Sequence, residues 1–389
     1  MSELAVYLDH HASTPLAPEA RDAMMPWLDG RAGNPHAASS PAGRAAHAAI
    51  EEARAHVAAL VSTRPENVVF TSGATEAVNI VLRSLVLPGS HLVTSAIEHA
   101  CVGATAEALV QGGATVSMVG VDEFGLIEPA EVEDAMYGEV CTVSIMTVNN
   151  EVGTIQPIKE IADIVHDAGG ILHSDAAQAL GRIPIDLAAL GLDAITLSAH
   201  KLYGPQGIGA IIATPDTMTR LHPIATGGGQ ERGVRPGTVP IALCVGFGAA
   251  CALAAQRMAA DACHARDLSE HFLHVLCSAI SDVSINGDMN ARVPQNLNLL
   301  IPGCDADDLV RRLSGVTISS GSACSDGAFG ASPVLLAMGL EPAEAEASIR
   351  IGFGRGNTIK EVETAARQIA WVVEDIRAES TSKTTRRAI

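Results

Sequence analysis

Lys201 is the residue in this chain whose type and setting are most readily put to chemical use. It is one of four lysines. Lys159 lies in a helically spaced run beside Glu160, Lys360 in the charged stretch Lys360-Glu361-Val362-Glu363, and Lys383 in a polar tail, all settings for solvated charges. Lys201 instead follows the apolar run Leu192 to Leu197, which predicts a strand, and precedes a Gly204-Pro205 turn. An amine held at the end of a buried strand is easily desolvated. That favours its neutral, nucleophilic form and suits it to Schiff-base formation with a carbonyl compound, pyridoxal phosphate foremost. Read alone, the position equally suits a lysine that snorkels to water.

Other groups fall at neighbouring strand ends. Ser72-Gly73-Ala74-Thr75 joins a predicted strand to a predicted helix, where free backbone N–H groups and the helix dipole can hold a phosphate, although many such turns look alike. Asp175 closes the run Ile171-Leu172-His173-Ser174 and can pair with a protonated pyridine nitrogen, or equally cap a helix. Ser198 and His200 flank the lysine turn as further phosphate donors. Phosphate turn, aspartate and lysine in this order say more together than separately.

Composition sets the frame around these groups. A chain of 389 residues can bury a large core in two or three domains without cross-links. Aromatic residues make up only 3% and hydrophobic residues 48%, so Ala, Val, Leu and Ile must fill the interior, as in closely packed α/β proteins. The formal charge of −19 disfavours general binding to nucleic acid or an anionic membrane. Met1 to Asp9 lacks the basic and long apolar regions of a signal peptide, which predicts a cytoplasmic location. The apolar run Ile241 to Ala255 is short for a membrane span and reads as a buried helix. Eight cysteines without a C-x-x-C pair predict free thiols, most of them buried. No metal site is expected, since His271 and His274 have no carboxylate or thiol at ligand spacing.

The elements that must position the chemistry alternate. Helices are predicted over Pro18 to Leu28, from Pro41 to Leu60, over Glu76 to Leu85, near Glu98 and over Ile158 to Ala168. Strands are predicted at Val68 to Phe70, His91 to Thr94, Thr115 to Val119, Val143 to Val148, Ile171 to Ser174, Ile195 to Leu197 and Ile208 to Ala213. Such alternation predicts an α/β fold with a mostly parallel sheet covered by helices, and a ligand crevice outside the strands' carboxyl ends. From residue 257 the pattern changes to a long polar helix from Arg257 to Ile280, strands at Asn298 to Ile301 and Val316 to Ser319, a helix from Asp307 to Leu313 and a final helix from Ile359 to Ile376. We divide the chain into a large domain, 16–256, and a smaller α+β domain, 1–15 with 257–389, whose polar tail from about residue 379 is expected to lack structure.

Seven blocks make a resemblance specific. They are Leu8-Asp9-His10-His11-Ala12-Ser13-Thr14-Pro15, Thr71 to Glu76, Val148-Asn149-Asn150-Glu151-Val152-Gly153, His173 to Gln178, Ser198 to Lys201, Gly227 to Thr238 and Ser319-Ser320-Gly321-Ser322-Ala323-Cys324. In this order, and over about residues 6 to 356, the chain resembles cysteine desulfurases of the NifS/IscS type, class V aminotransferases with the type I fold of pyridoxal phosphate enzymes. The resemblance implies that Lys201 carries pyridoxal 5′-phosphate, Asp175 pairs with its pyridine nitrogen, Gln178 bonds its phenolic oxygen and His99 stacks on its ring. It further implies that Ala74, Thr75, Ser198 and His200 hold the phosphate, with Thr238 reaching it from the second subunit of a homodimer. Asn150 and Arg350 would bind the carboxylate of L-cysteine, and Cys324 would take its sulfur as a persulfide. Only a thiolate attacks sulfur readily, and Cys324 follows a small, polar, glycine-containing run suited to a loop, whereas Cys304 is the one rival on an apparent turn. Where many members have a histidine this chain has Ser40, with no chemical role evident for the difference. The segment after Cys324 has a composition of its own, and the chain ends without the extension with which some members dock an iron–sulfur scaffold, so the protein sulfur acceptor stays open. Alternatives in view are a selenocysteine lyase or another class V enzyme, and a non-catalytic sulfur-trafficking subunit.

Overall fold

The computed structural model describes residues 6–37, 39–137, 141–320 and 330–387, with 380–387 described by backbone alone. In chain order its main elements are β1 (Val6–Tyr7), α1 (Pro18–Leu28), α2 (Pro41–Leu60), β2 (Val68–Thr71), α3 (Ala74–Leu85), β3 (His91–Ser95), α4 (Ala100–Gln111), β4 (Thr115–Val119), α5 (Pro129–Ala135), β5 (Cys141–Ser144), α6 (Ile158–Asp167), β6 (Ile171–Asp175), β7 (Ala194–Ser198), β8 (Gly209–Ala213), α7 (Pro215–Met218) and α8 (Ile241–Ala279). There follow β9 (Ser284–Asn286), β10 (Asn296–Leu300), α9 (Ala306–Arg312), β11 (Val316–Thr317), β12 (Ser319–Ser320), α10 (Pro333–Ala337), α11 (Pro342–Glu346), β13 (Ser348–Gly352) and α12 (Ile359–Arg387).

Seven strands form the central sheet in the order β2-β8-β7-β6-β5-β3-β4. All are parallel except β8, which runs antiparallel to both β7 and β2. Burial of both faces explains the near-continuous apolar strands, and the expected α/β architecture is the one observed. Four of its strands, β2, β3, β6 and β7, send their carboxyl ends straight into chemistry-bearing turns, and β5 does so through the extended run that follows it. That run, expected as strand through Val148, leaves regular pairing at Ser144 yet keeps bonding along β6, with Ile145 N–H donating to His173 O and Thr147 N–H to Asp175 O.

The apolar interior falls into a large cluster around the sheet, including Phe70, Ile195, Leu197 and Phe247, and a second around the sheet β12-β13-β10-β9, including Leu8, Phe272, Leu299, Ile351 and Ile369. Helix α8 belongs to both. Cys244, Phe247 and Cys251 lie in the first cluster, and Leu268, Phe272 and Leu276 in the second. Two helices were expected here, meeting near residue 256; one helix of 39 residues replaces them. The junction Ala254-Ala255-Gln256-Arg257-Met258-Ala259 holds good helix formers and no Gly or Pro to break it. By length and composition α8 is apolar enough to cross a membrane, and its packing between two cores accounts for that composition.

Two other expectations are corrected. The run Val316 to Ser319 is two short strands, β11 pairing with the N-terminal β1 and β12 with β13. The final helix does not stop at Ile376 with a structureless tail from 379; its backbone is helical to Arg387. No Gly or Pro interrupts it, and Arg312 of α9 ties down Asp375 and Glu379 at 3.0 Å each, holding the turn where the polar tail begins.

Candidate active site

Strand β2 ends in a turn that exposes the start of a helix. Gly73 adopts φ 157° and ψ 179°, a conformation open essentially to glycine alone, and caps α3 with no side-chain acceptor on its first-turn N–H groups. Close below, β8 passes so near that a Cβ on Gly209 would fall 2.7 Å from Gly73 Cα. The result is a cup of backbone donors at Ala74 and Thr75, matched to an anion. Glu76 in the same turn accepts from Ser72 N–H and pairs with Arg235 at 3.1 Å. Although burial pushes its carboxyl up, these partners hold it below the usual range.

Strand β7 ends in a single 3-10 turn, Ala199–Lys201, that turns Lys201 toward this cup. Its Nζ donates to the carbonyls of His11 and Ala12, at 2.8 Å each. The N-terminal segment also clasps the turn from outside. Thr14 donates to His200 O from both N and Oγ1 at 2.8 Å and accepts from Tyr203 N at 2.6 Å. Next along the sheet, Asp175 closes β6, and its Oδ1 accepts from Ala177 N–H at 2.9 Å. Burial raises its pKa, against the pull of that hydrogen bond and of His99 and Lys201. The sequence left a ligand role and a capping role open for Asp175; the structure shows a local turn bond together with a place on the cavity wall.

A cavity of about 500 Å³ gathers these groups. Ala74, Thr75, His99, Asn150, Asp175, Gln178, Ser198, His200 and Lys201 all line it, so nine of the residues singled out from sequence come together. His99 caps α4, its Nδ1 accepting from Cys101 N–H at 3.2 Å, which places the ring proton on Nε2. Burial, assisted by Lys201, lowers its pKa, and burial lowers that of His200 to about 4. Both rings are therefore neutral at physiological pH. Gln178 donates from Nε2 to His11 O at 3.0 Å.

Two expected residues lie elsewhere and a third is not among the described residues. Arg350, on β13, is buried behind Asn150 rather than on the cavity wall, donating to Asp9 Oδ1 at 2.9 Å, Ser319 Oγ at 3.1 Å and Asn150 O at 3.1 Å. Thr238 is exposed and does not line this chain's own cavity. Cys324 lies outside the described residues. Its rival Cys304 is buried, its thiol pushed up to about 11 by burial, a setting for an inert thiol. Ser40, the departure from the family pattern, caps α2 by accepting from Gly43 N–H at 2.9 Å. Among the described residues no cluster of His, Cys, Asp and Glu fit for a metal occurs.

The structure adds groups that sequence reasoning missed. His11, Ala12 and Ser13 line the cavity, though the N-terminal segment was assigned only to the smaller domain. The block Leu8 to Pro15 was itself part of the resemblance and was the available signal. Cys101 also lines the cavity, its thiol raised to about 12 by burial and nearby carboxylates. Glu98 is buried just behind, accepting from Ser95 Oγ and Met146 N at 2.8 Å with one oxygen, and burial raises its pKa to about 8.

Known proteins place this geometry in context. A protein of Rickettsia bellii named cysteine desulfurase IscS is 38% identical over 96% of this chain and 92% of its own length. A solved structure described as a NifS-like protein has a TM-score of 0.88 at 31% identity, with 95% of this chain and 100% of the other covered. Another, described as SspA in complex with cysteine, has a TM-score of 0.80 at 32% identity, with 91% of this chain and 100% of the other covered. Residues 6–364 match the family model described as aminotransferase class-V, and with that extent of match the chain belongs to the class-V aminotransferase family.

Proposed function

We propose that the chain is a cysteine desulfurase that binds pyridoxal 5′-phosphate, converts L-cysteine to L-alanine and keeps the sulfur as a persulfide on Cys324 for a protein acceptor, such as an iron–sulfur scaffold. The observation that carries this reading is the convergence of Lys201, Asp175, Gln178 and an open helix N-terminus on one cavity. The residues fit the cofactor. The first turn of α3, Ser198 and His200 suit its phosphate, Asp175 its ring nitrogen, Gln178 its phenolic oxygen and Lys201 its aldehyde carbon. Asn150 Oδ1 and His11 Nε2, on two cavity-lining residues, are buried with no hydrogen-bond partner among the described residues, as a site awaiting a polar ligand would leave them.

When bound, the cofactor supplies an electron sink for bond breaking at Cα and Cβ of an attached amino acid. The chain's own residues do the rest. Lys201, steered by the carbonyls of His11 and Ala12, takes the substrate's Cα proton. His99, neutral and held by its bond from Cys101 N–H, forms a wall of fixed orientation, and Asn150, braced from behind by Arg350 at its carbonyl, orients the substrate carboxylate. Cys324 attacks the substrate sulfur as the Cβ–S bond breaks, an S–S bond forms, and Cβ gains a proton to leave as alanine. A homodimer with shared sites is part of the proposal. Its support is that Thr238 is exposed outside its own cavity while Arg235, three residues earlier, is tied to Glu76 at the phosphate turn. The seven described cysteines are free thiols, which supports a reducing, cytoplasmic setting.

Incubation of the purified protein with L-cysteine and a thiol reductant should release alanine and sulfide in equal amounts. A Cys324→Ser variant should keep cofactor binding and lose persulfide formation; turnover to alanine and sulfide at the wild-type rate would sink the role of Cys324.

A further inference from the structure

Arg182 stands behind the cavity wall, in the turn that follows β6, and is 7% exposed. No carboxylate lies within ion-pair reach of it among the described residues. Its hydrogen bonds go instead to two cavity-lining residues, Gln178 and His11, and to the backbone beside them. Nη1 donates to Gln178 Oε1 and, at 2.9 Å, to His11 Nδ1; Nη2 donates to His10 O at 3.0 Å and lies 3.5 Å from Lys201 O. Burial brings the guanidinium down to about 10, so it stays charged at neutral pH.

These bonds fix two side chains. With Oε1 taken by the guanidinium and one Nε2 hydrogen on His11 O at 3.0 Å, Gln178 keeps one amide hydrogen for the cavity. An amide flip would set NH2 against the guanidinium, donor against donor. His11 Nδ1 lies 3.0 Å from Gln178 Oε1 and 2.9 Å from Arg182 Nη1; because a guanidinium can only donate, Nδ1 accepts and the ring proton sits on Nε2, and burial with the charge of Arg182 keeps the ring neutral.

We propose that Arg182 is a positioning residue for the cofactor: it fixes which end of the Gln178 amide meets the ring oxygen, holds that oxygen as an anion, and so sets the pH at which the Lys201-linked chromophore takes up a proton. This rests on the reading of Lys201 as the cofactor's anchor. The other titratable groups facing the lysine are few. His11, His99 and His200 are neutral, and Cys101 is a protonated thiol. Glu76 is paired with Arg235, which leaves Asp175 as the opposing charge. On the far side Arg350 is paired with Asp9. A cation beside the chromophore disfavours the incoming proton and lowers its pH midpoint, so removing that cation raises it.

The test is a pH titration of the visible absorbance of the pyridoxal phosphate-loaded protein. In Arg182→Gln the midpoint should rise by roughly one pH unit or more, while Arg182→Lys stays near wild type. Equal midpoints in all three overturn the proposal. Arg182→Met, which buries no unpaired donor, backs up the glutamine variant and should shift in the same direction. The wild type tests the idea without any variant. A midpoint set by a buried cation stays constant between about 0.05 M and about 1 M sodium chloride, whereas a drift of more than roughly half a unit means that surface charges set it and overturns the proposal. If the wild type develops no visible band with added cofactor, or borohydride fixes none to the Lys201 peptide, the anchor reading falls first and this inference with it.

Discussion

Replacing Glu98 by glutamine should make the protein more stable as pH rises, because the structure holds a carboxyl where a carboxylate is unwelcome. Glu98 Oε1 accepts from Ser95 Oγ and Met146 N at 2.8 Å, while Oε2 is buried with no partner among the described residues. Burial is the largest cause of a pKa raised from 4.5 to about 8, and Asp175 adds to it. The sign follows from proton binding. Between these two values the folded chain holds a proton that the unfolded chain has lost, so wild-type stability falls by about 1.4 kcal/mol for each pH unit. This contribution is fully present below pH 4.5 and is lost as pH rises through about 8. Glutamine keeps the Oε1 acceptor and has no proton to lose. The advantage of Glu98→Gln over wild type should therefore grow by nearly 3 kcal/mol, about 1.4 for each of two pH units, between about pH 5 and about pH 7. The added NH2 group, facing the place without a partner, costs about 1–3 kcal/mol at every pH and offsets the curve without changing its slope. Urea unfolding of both proteins at several pH values reads the difference directly. A constant difference across that range would refute the reasoning, since Glu98 would then be ionised in the folded state at no cost.

Two further outcomes follow from buried charge and from exposure. Asp9→Asn should lower stability by about 3 kcal/mol, because the Arg350 guanidinium, only 1% exposed, loses the Asp9 carboxylate at 2.9 Å. Arg350→Met in the same chain should recover at least about 1 kcal/mol in a double-mutant cycle, and strict additivity would show that the pair is not coupled. Mixing Lys201→Ala with Thr238→Ala subunits should restore activity, since one site of each heterodimer then holds both residues; no recovery despite demonstrated subunit exchange would count against shared sites.

The residues legible in the sequence were those whose role follows from local position. Asp175, Ser198, His200 and Lys201 end apolar strands, and Ala74 and Thr75 open a helix after a glycine, so strand alternation alone carried them to one edge of the sheet. What escaped was long-range. His11 and Gln178 meet across 167 residues, and Arg350 and Asp9 across 341; no periodicity announces either pair. The continuity of α8 escaped for a different reason, because a change from apolar to polar composition marks a change of surroundings and not a break in the backbone. Arg182 gives no signal in the sequence, since an arginine in a turn is ordinarily expected in solvent.

The missed groups share a physical logic. Around Lys201 the fold turns burial into neutrality: His11, His99 and His200 are pushed below neutral pH, and Cys101 and Glu98 above it. Neutral walls let the remaining charges, Lys201, Asp175 and Arg182, act at full strength in a poorly screened cavity. A histidine cation there would compete with Lys201 for the field of Asp175, and an ionised Cys101 would place a reactive thiolate on the wall of the same cavity. Burial that keeps Cys101 protonated thus removes a nucleophile from the cavity it lines, and the sulfur chemistry proposed for Cys324 meets no rival thiolate among the described cavity residues.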